Sequence, residues 1–258
     1  MVIYQKKKGN LSDAEVLLGL MDKEVSENQG DRWTFVAVLP ESGFIHTVHS
    51  AERTSEEAKI FVEKIKAKSD KKAPLFMSDC WFYANVLMMC YCIYIAVVYQ
   101  GRGRPAHPKQ VVDPNLRYVQ VHKKRDSKGK MQSITTRIML GDEVTILNQL
   151  EDAKRSKTVN TDYVESRNGK YRKDNARLIR RTLCHSKKAI YHDAHIIFLT
   201  NVFNYTRTID ALKVLINPDA EKFKQKYQHR TPAMAEGLIG NIMTIKQLLC
   251  IRPIIVAA

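Results

Sequence analysis

The sequence predicts a mixed α/β fold. Short runs rich in β-branched and aromatic residues punctuate the first hundred residues, as strands require. Turn chemistry separates two of these runs, and a stretch with helical periodicity precedes another. The resulting order of strand, strand, strand, helix, strand is that of an open sheet with a crossover.

Residues 2–5 are the first predicted strand. Residues 6–30 are polar and loop-like, with a short apolar helical stretch at 16–21. Residues 32–39 (RWTFVAVL) form a strong second strand, Pro40-Glu41-Ser42-Gly43 a turn, and 44–50 (FIHTVHS) the hairpin partner. Ser55, Glu56 and Glu57 open a helix to about Lys68, with Ala58, Phe61, Val62 and Ile65 on one face. The run 66–72 is a surface connector, and 73–78 (APLFMS) a short buried strand ending at Asp79. An acid at such a strand tip is where open sheets place their chemistry. The same residue also suits an N-cap for a helix starting near Trp81, and the two readings carry equal weight.

Residues 81–89 read as helix and 94–99 as a fifth strand. The unbroken apolar stretch 86–99 is fourteen residues long, short of the ~18 that a membrane span needs, and reads as a core helix entering a buried strand. GRGRPAHPK (101–109) cannot form a regular element and presents Arg102, Arg104 and Lys109 on a Gly/Pro scaffold suited to phosphates. Residues 116–123 and 133–140 read as a ribbon joined through 126–130, and 142–154 as a helix. Residues 160–188 read as one long helix with Thr161 or Asp162 at its N-cap. A further helix covers 187–205, where His192 and His195 lie one turn apart with no third ligand nearby and read as structural or surface residues. Residues 206–230 read as an extended arm and 244–250 as a short terminal helix.

Charge points to a polyanion. Net charge is +15, and it is uneven: residues 1–80 are nearly neutral, whereas 101–188 hold 22 Lys and Arg against 9 acids. A solubility device would spread its charge, so this block reads as a binding surface. Five cysteines with no Cys-x-x-Cys pair argue against a disulfide framework or a zinc site and for a reducing compartment. The long helix carries Arg167, Lys170, Arg172, Lys173, Arg177, Arg180 and Arg181 around a buried-looking Glu165, which shares a face with Asn168, Arg172 and Asn175. A carboxylate among cations suits a metal held against a nucleic-acid backbone. Taken locally, a capping box between Asp162 and Glu165 is the simpler reading.

The segments WTFVAVLPESG with HSAERT, FMSDCW, GRGRPAHPK with LRYVQVHKKRD, VNTDYVESRNGKYRKDNARLIRRTLCHSKK, and RTPAMAEGL occur in this order over most of the chain. In these segments the chain resembles the IS-one-like DDE transposases of prokaryotic insertion sequences, in the ribonuclease H-like superfamily. The resemblance implies a mixed sheet flanked by helices over 1–205, with the basic loop and an inserted β-ribbon at about 101–141, and a C-terminal helical extension or arm at 206–258. It implies DNA binding and metal-dependent strand cleavage and transfer in DNA transposition, in which three carboxylates hold two Mg²⁺, or Mn²⁺, for in-line phosphoryl transfer. Asp79 matches the second acid of that family and Glu165 the third. Arg172, Asn175 and Arg177 are expected to contact the DNA backbone or to support Glu165.

The family's first acid would fall just before Met1, so the chain reads as an N-terminally truncated relative with impaired activity. Asp13 or Asp31 is a poor stand-in, since neither sits where the strand requires. Cys80, where relatives often have Gly, and Gly240-Asn241 also depart from the family pattern. The implied partners are double-stranded DNA and further copies of the chain, with no membrane and no small-molecule cofactor, in the nucleoid region of the cytoplasm. The cations expected on DNA are Arg102, Arg104, Lys109, Lys123, Lys124, Arg167, Lys170, Arg172, Lys173, Arg177, Arg180 and Arg181. A second reading is a non-catalytic DNA-binding remnant that associates with intact transposase. An RNA-binding protein fits the charge but leaves the acid positions unexplained.

Overall fold

The computed structural model describes residues 2–3, 12–14, 17, 31–70, 72–95, 107–179, 184, 186, 188–220 and 223–251. The fold is mixed α/β, and the chain divides into two compact units, residues 1–50 with 167–258 and residues 51–166.

The first unit is built on a three-stranded sheet in the order β1 (Val2–Ile3), β2 (Asp31–Val38), β3 (Ile45–Ala51), the last residue of β3 lying at the unit boundary. The β2–β3 turn closes as its residues predict. Gly43 has φ 67°, a left-handed conformation that costs glycine little, and its N–H reaches Leu39 O at 2.8 Å. A Cβ there would lie 2.8 Å from Nη2 of Arg167. The core of this unit is Ile45, Tyr171, Leu178, Ile196 and Phe203. Two side-chain clamps pin β2 and β3 to a later helix. Asn204 accepts from Ile45 N and donates to Ile45 O, both at 2.9 Å, and Arg32 forks onto Asp193 at 3.0 and 2.5 Å.

The second unit opens with α1 (Ser55–Ala67), capped by Thr54 and burying the predicted Ala58, Phe61, Val62 and Ile65. Strand β4 (Leu75–Ser78) follows, then α2 (Tyr83–Cys90) and a two-stranded pair, β5 (Cys92–Ile95) with β6 (Lys109–Val112). Strands β7 (Arg117–Arg125) and β8 (Met131–Leu140) form a hairpin, and α3 (Glu143–Asp152) is capped by Asp142. The sheet order is β4-β7-β8. The β4–β7 pairing is parallel, with Ser78 opposite Gln120. Val119, Ile146 and Leu150 form the buried cluster beneath, with Leu75, Met77 and Val159 against it.

The strand beside β4 is β7. The buried fifth strand expected at 94–99 is corrected. Of that stretch Tyr94 and Ile95 are described, and they lie exposed in β5, which pairs with β6. The hairpin at 117–140 is therefore part of the main sheet of its unit rather than an inserted ribbon. The long helix over 160–188 is broken. Helix α4 (Asp162–Asp174) stops at Asn175, whose backbone is extended and whose side chain accepts from Arg177 N at 3.0 Å, starting a 3-10 turn at Ala176–Leu178. That turn drops Leu178 into the core, a gain that straight continuation forfeits. Helix α5 (Ala189–Thr206) follows.

The C-terminal segment is folded back rather than an extended arm. β9 (Val214–Leu215) pairs antiparallel with β10 (Tyr227–Gln228), with α6 (Phe223–Lys226) between them. Ile209 N donates to Arg230 O at 3.1 Å, and Leu212 is buried. α7 (Pro232–Ala235) buries Pro232 and Ala233, and α8 (Ile245–Leu249) carries a complete capping box from Thr244 and Gln247. Among the described residues no helix is long and apolar enough to cross a membrane.

Candidate metal and nucleic-acid site

Both predicted acids belong to the second unit. Asp79 follows β4 directly and is exposed. It does not cap α2, whose N-cap is Phe82 with no side-chain cap bond. The turn it occupies is held from below. Ser78 Oγ accepts from Cys80 N at 3.3 Å and meets Tyr118 Oη at 2.8 Å, while Tyr118 Oη donates to Cys80 O at 3.0 Å. Burial pushes the Tyr83 phenol up, and the neighbouring Asp79 carboxylate adds to the effect. The parallel register puts the tip of β4 beside the middle of β7, one residue beyond the Ser78–Gln120 pair.

Three residues further along β7, Lys123 reaches the other acid. Val119, Val121 and Lys123 alternate onto one face of β7. The Lys123 ammonium donates to Glu165 Oε1 and to Thr161 Oγ1, and Thr161 Oγ1 donates to the same carboxylate oxygen at 3.2 Å. Lys123 is largely buried, with 11% of its side chain exposed, against 54% for Glu165. Glu165 is thus an exposed acid on a half-sunken cation, not the buried acid expected. The Lys123 hydrogen bond chiefly, with its charge and the Thr161 hydroxyl, holds the Glu165 carboxyl below its ordinary value. Glu165 and Asp162 form no capping box: the side chain of Glu165 turns to Lys123 and Thr161.

The predicted DNA-binding cations fall into three groups. Lys109 and Lys124 in the second unit are exposed, as are Lys170, Arg172, Lys173 and Arg177 in the first. Lys123 and Arg167 are removed from solvent. Arg167 is 8% exposed, and its guanidinium carbon lies 4.1 Å from the Phe203 ring centroid. Lys170 Nζ lies over the same ring at 5.5 Å. Arg102, Arg104, Arg180 and Arg181 lie outside the described residues, as do most of the basic loop and the C-terminal part of the predicted long helix. Asn175 is 3% exposed and serves the 3-10 turn, so it is not a backbone contact.

Sequence reasoning missed the Lys123–Glu165 pair. The signal for it was the period-two pattern of Val119, Val121 and Lys123, which places the lysine on the inner face. Two oxygen-only carboxylates suit a hard divalent cation, and Mg²⁺ commonly takes one or two carboxylates with waters completing its shell. Asp79 and Glu165 are each an oxygen donor of the kind Mg²⁺ or Mn²⁺ takes, and at Glu165 the Lys123 ammonium already holds the carboxylate. Among the described residues there is no group of three or more His, Cys, Asp or Glu placed to hold a metal. No protein-family model, curated protein or solved structure matches the chain.

Proposed function

We propose that this protein is a DDE-type, ribonuclease H-like transposase that binds double-stranded DNA and cleaves and joins strands with a divalent metal, at reduced efficiency. The observation that carries the reading is local to the second unit. A parallel β4–β7 pair bears Asp79 at its strand tip, and Lys123 of the same β7 holds the carboxylate of Glu165. Open sheets bind ligands beyond the carboxyl ends of parallel strands. Asp79 and Glu165 would hold the metal, which supplies charge neutralisation for an in-line phosphoryl transfer. Lys123 keeps Glu165 ionised and orients it through Thr161. The same ammonium opposes metal entry, and that is one physical source of the reduced efficiency. The exposed cations Lys109 and Lys124 supply backbone contacts in this unit.

The test is supercoiled-plasmid nicking in Mn²⁺ or Mg²⁺. The expected result is slow nicking that Asp79→Ala and Glu165→Ala each abolish. Nicking that survives Asp79→Ala would reject the assignment. The Lys123–Glu165 pair also favours a second reading, a DNA-binding protein without catalysis. For that protein the plasmid is not nicked in either metal, while a gel shift of the same plasmid shows binding.

A further inference from the structure

We propose that one face of the β7–β8 hairpin is the surface that seats double-stranded DNA, with the ribbon lying in the major groove. This rests on the DNA-binding part of the reading above and names the element that performs it. The uninterrupted register pairs Gln120 with Arg137, His122 with Thr135 and Lys124 with Ser133. Directly paired residues share a face, so these six side chains form one two-column patch with no apolar member. The opposite face pairs Val119 with Ile138, Val121 with Thr136 and Lys123 with Ile134, and it carries Val119 into the core and Lys123 to Glu165.

The polar face is covered at its root and bare beyond. Tyr118 is 1% exposed there, bonded to Ser78 and Cys80, and Phe76 packs on Tyr91 with ring centroids 5.5 Å apart. From His122 outward every residue of this face is exposed, and nine of the ten residues of β8 are exposed, on both of its faces. Along the polar face Ser133, Thr135 and Arg137 of β8 are exposed and belong to neither buried cluster, so packing does not dictate their identity and they are free for contacts. Arg137, Lys124 and the tip residues Arg125, Lys128 and Lys130 give the ribbon a positive charge with Asp126 as its only acid. That charge complements a phosphate backbone, and Ser133, Thr135 and Gln120 offer hydrogen bonds that suit base edges. Two strands about 4.8 Å apart enter a B-form major groove about 12 Å wide, whereas the deep, narrow major groove of duplex RNA excludes them.

The experiment measures binding of the full chain to a fluorescent 30-base-pair DNA duplex, by anisotropy, across a salt series. The doubly substituted Lys124→Ser/Arg137→Ser chain is compared with Lys68→Ser/Lys72→Ser, which removes two exposed cations elsewhere in the same unit. The first should flatten the slope of log affinity on log salt by roughly 1.8, at ~0.9 per lost phosphate contact, and weaken binding on the order of tenfold near ~0.1 M salt. The second should leave the slope unchanged. Thr135→Lys, which adds a cation to the same exposed face, should steepen the slope by about 0.9. If the natural chain binds DNA with a steep slope that neither hairpin variant alters, this inference fails and the DNA-binding reading stands. A slope near zero for the natural chain ends both. Equal affinity for a duplex RNA of the same sequence overturns the groove assignment.

Discussion

Arg167 and Lys123 both count toward the positive charge of the chain, yet the fold withdraws each from solvent for a different purpose. Arg167 sits on Phe203 and against the β2–β3 turn, where a desolvated cation over an aromatic face is worth ~2 kcal/mol. Arg167→Ala is therefore expected to lower stability by about 2 kcal/mol in urea unfolding and to leave the salt slope of DNA binding unaltered. The exposed Arg172→Ala should do the reverse, with little change in stability and a shallower slope. If Arg167→Ala also flattened the slope, Arg167 would be a phosphate ligand and its buried position misjudged. Lys123 is held to Glu165 and Thr161, so its charge acts on the candidate metal site rather than on DNA.

Helix α5 shows how one element ties its unit together and makes the unit sensitive to acid. His192 is fully buried, meets Ser186 Oγ at 3.1 Å through Nδ1, and is pushed down to about 4 by burial. Asp193 works against that shift, and Arg32, His195 and Arg177 add to it. The unfolded chain takes up this proton near 6.5, whereas the folded chain resists it until about 4. The contribution is fully present above 6.5 and is lost as pH falls from 6.5 toward 4, by up to roughly 3 kcal/mol. Urea unfolding of the natural chain should show stability falling over that window. His192→Asn should be less stable at neutral pH but flatter with pH, with a residual slope from His195, which burial also lowers. A natural chain with constant stability between pH 6.5 and 4.5 would contradict the assignment.

At this scale the sequence was legible wherever local pattern and packing agree. The β2–β3 hairpin, the buried face of α1 and the Asp142-capped α3 are visible in periodicity and turn chemistry alone. Pattern did not reveal which strand lies beside β4. Residues 92–95 and 117–125 are both strand-like, and only the fold decides that the second pairs with β4. Asn175 favours caps and turns, but a single such residue does not by itself end a helical run, and the gain that decides the break lies in burying Leu178, a long-range effect. Asp79 was located correctly at the strand tip, and the period-two pattern puts Lys123 on the inner face of β7, but only the fold brings that lysine to Glu165, 42 residues on.

Across the whole molecule, the proposed function requires Asp79 and Glu165 of one unit to serve a single divalent ion against a cationic DNA-binding surface. The uneven charge and the division into two units are compatible with that arrangement, because both acids and the β7–β8 hairpin lie within residues 51–166. The measurement that tests it most directly is titration of Mn²⁺ into the full chain by calorimetry. Weak binding is expected for the natural chain, with loss of that binding in both Asp79→Ala and Glu165→Ala and tighter binding in Lys123→Ala, where no ammonium competes for the carboxylate. Mn²⁺ binding that persists unchanged in Asp79→Ala and Glu165→Ala would contradict it.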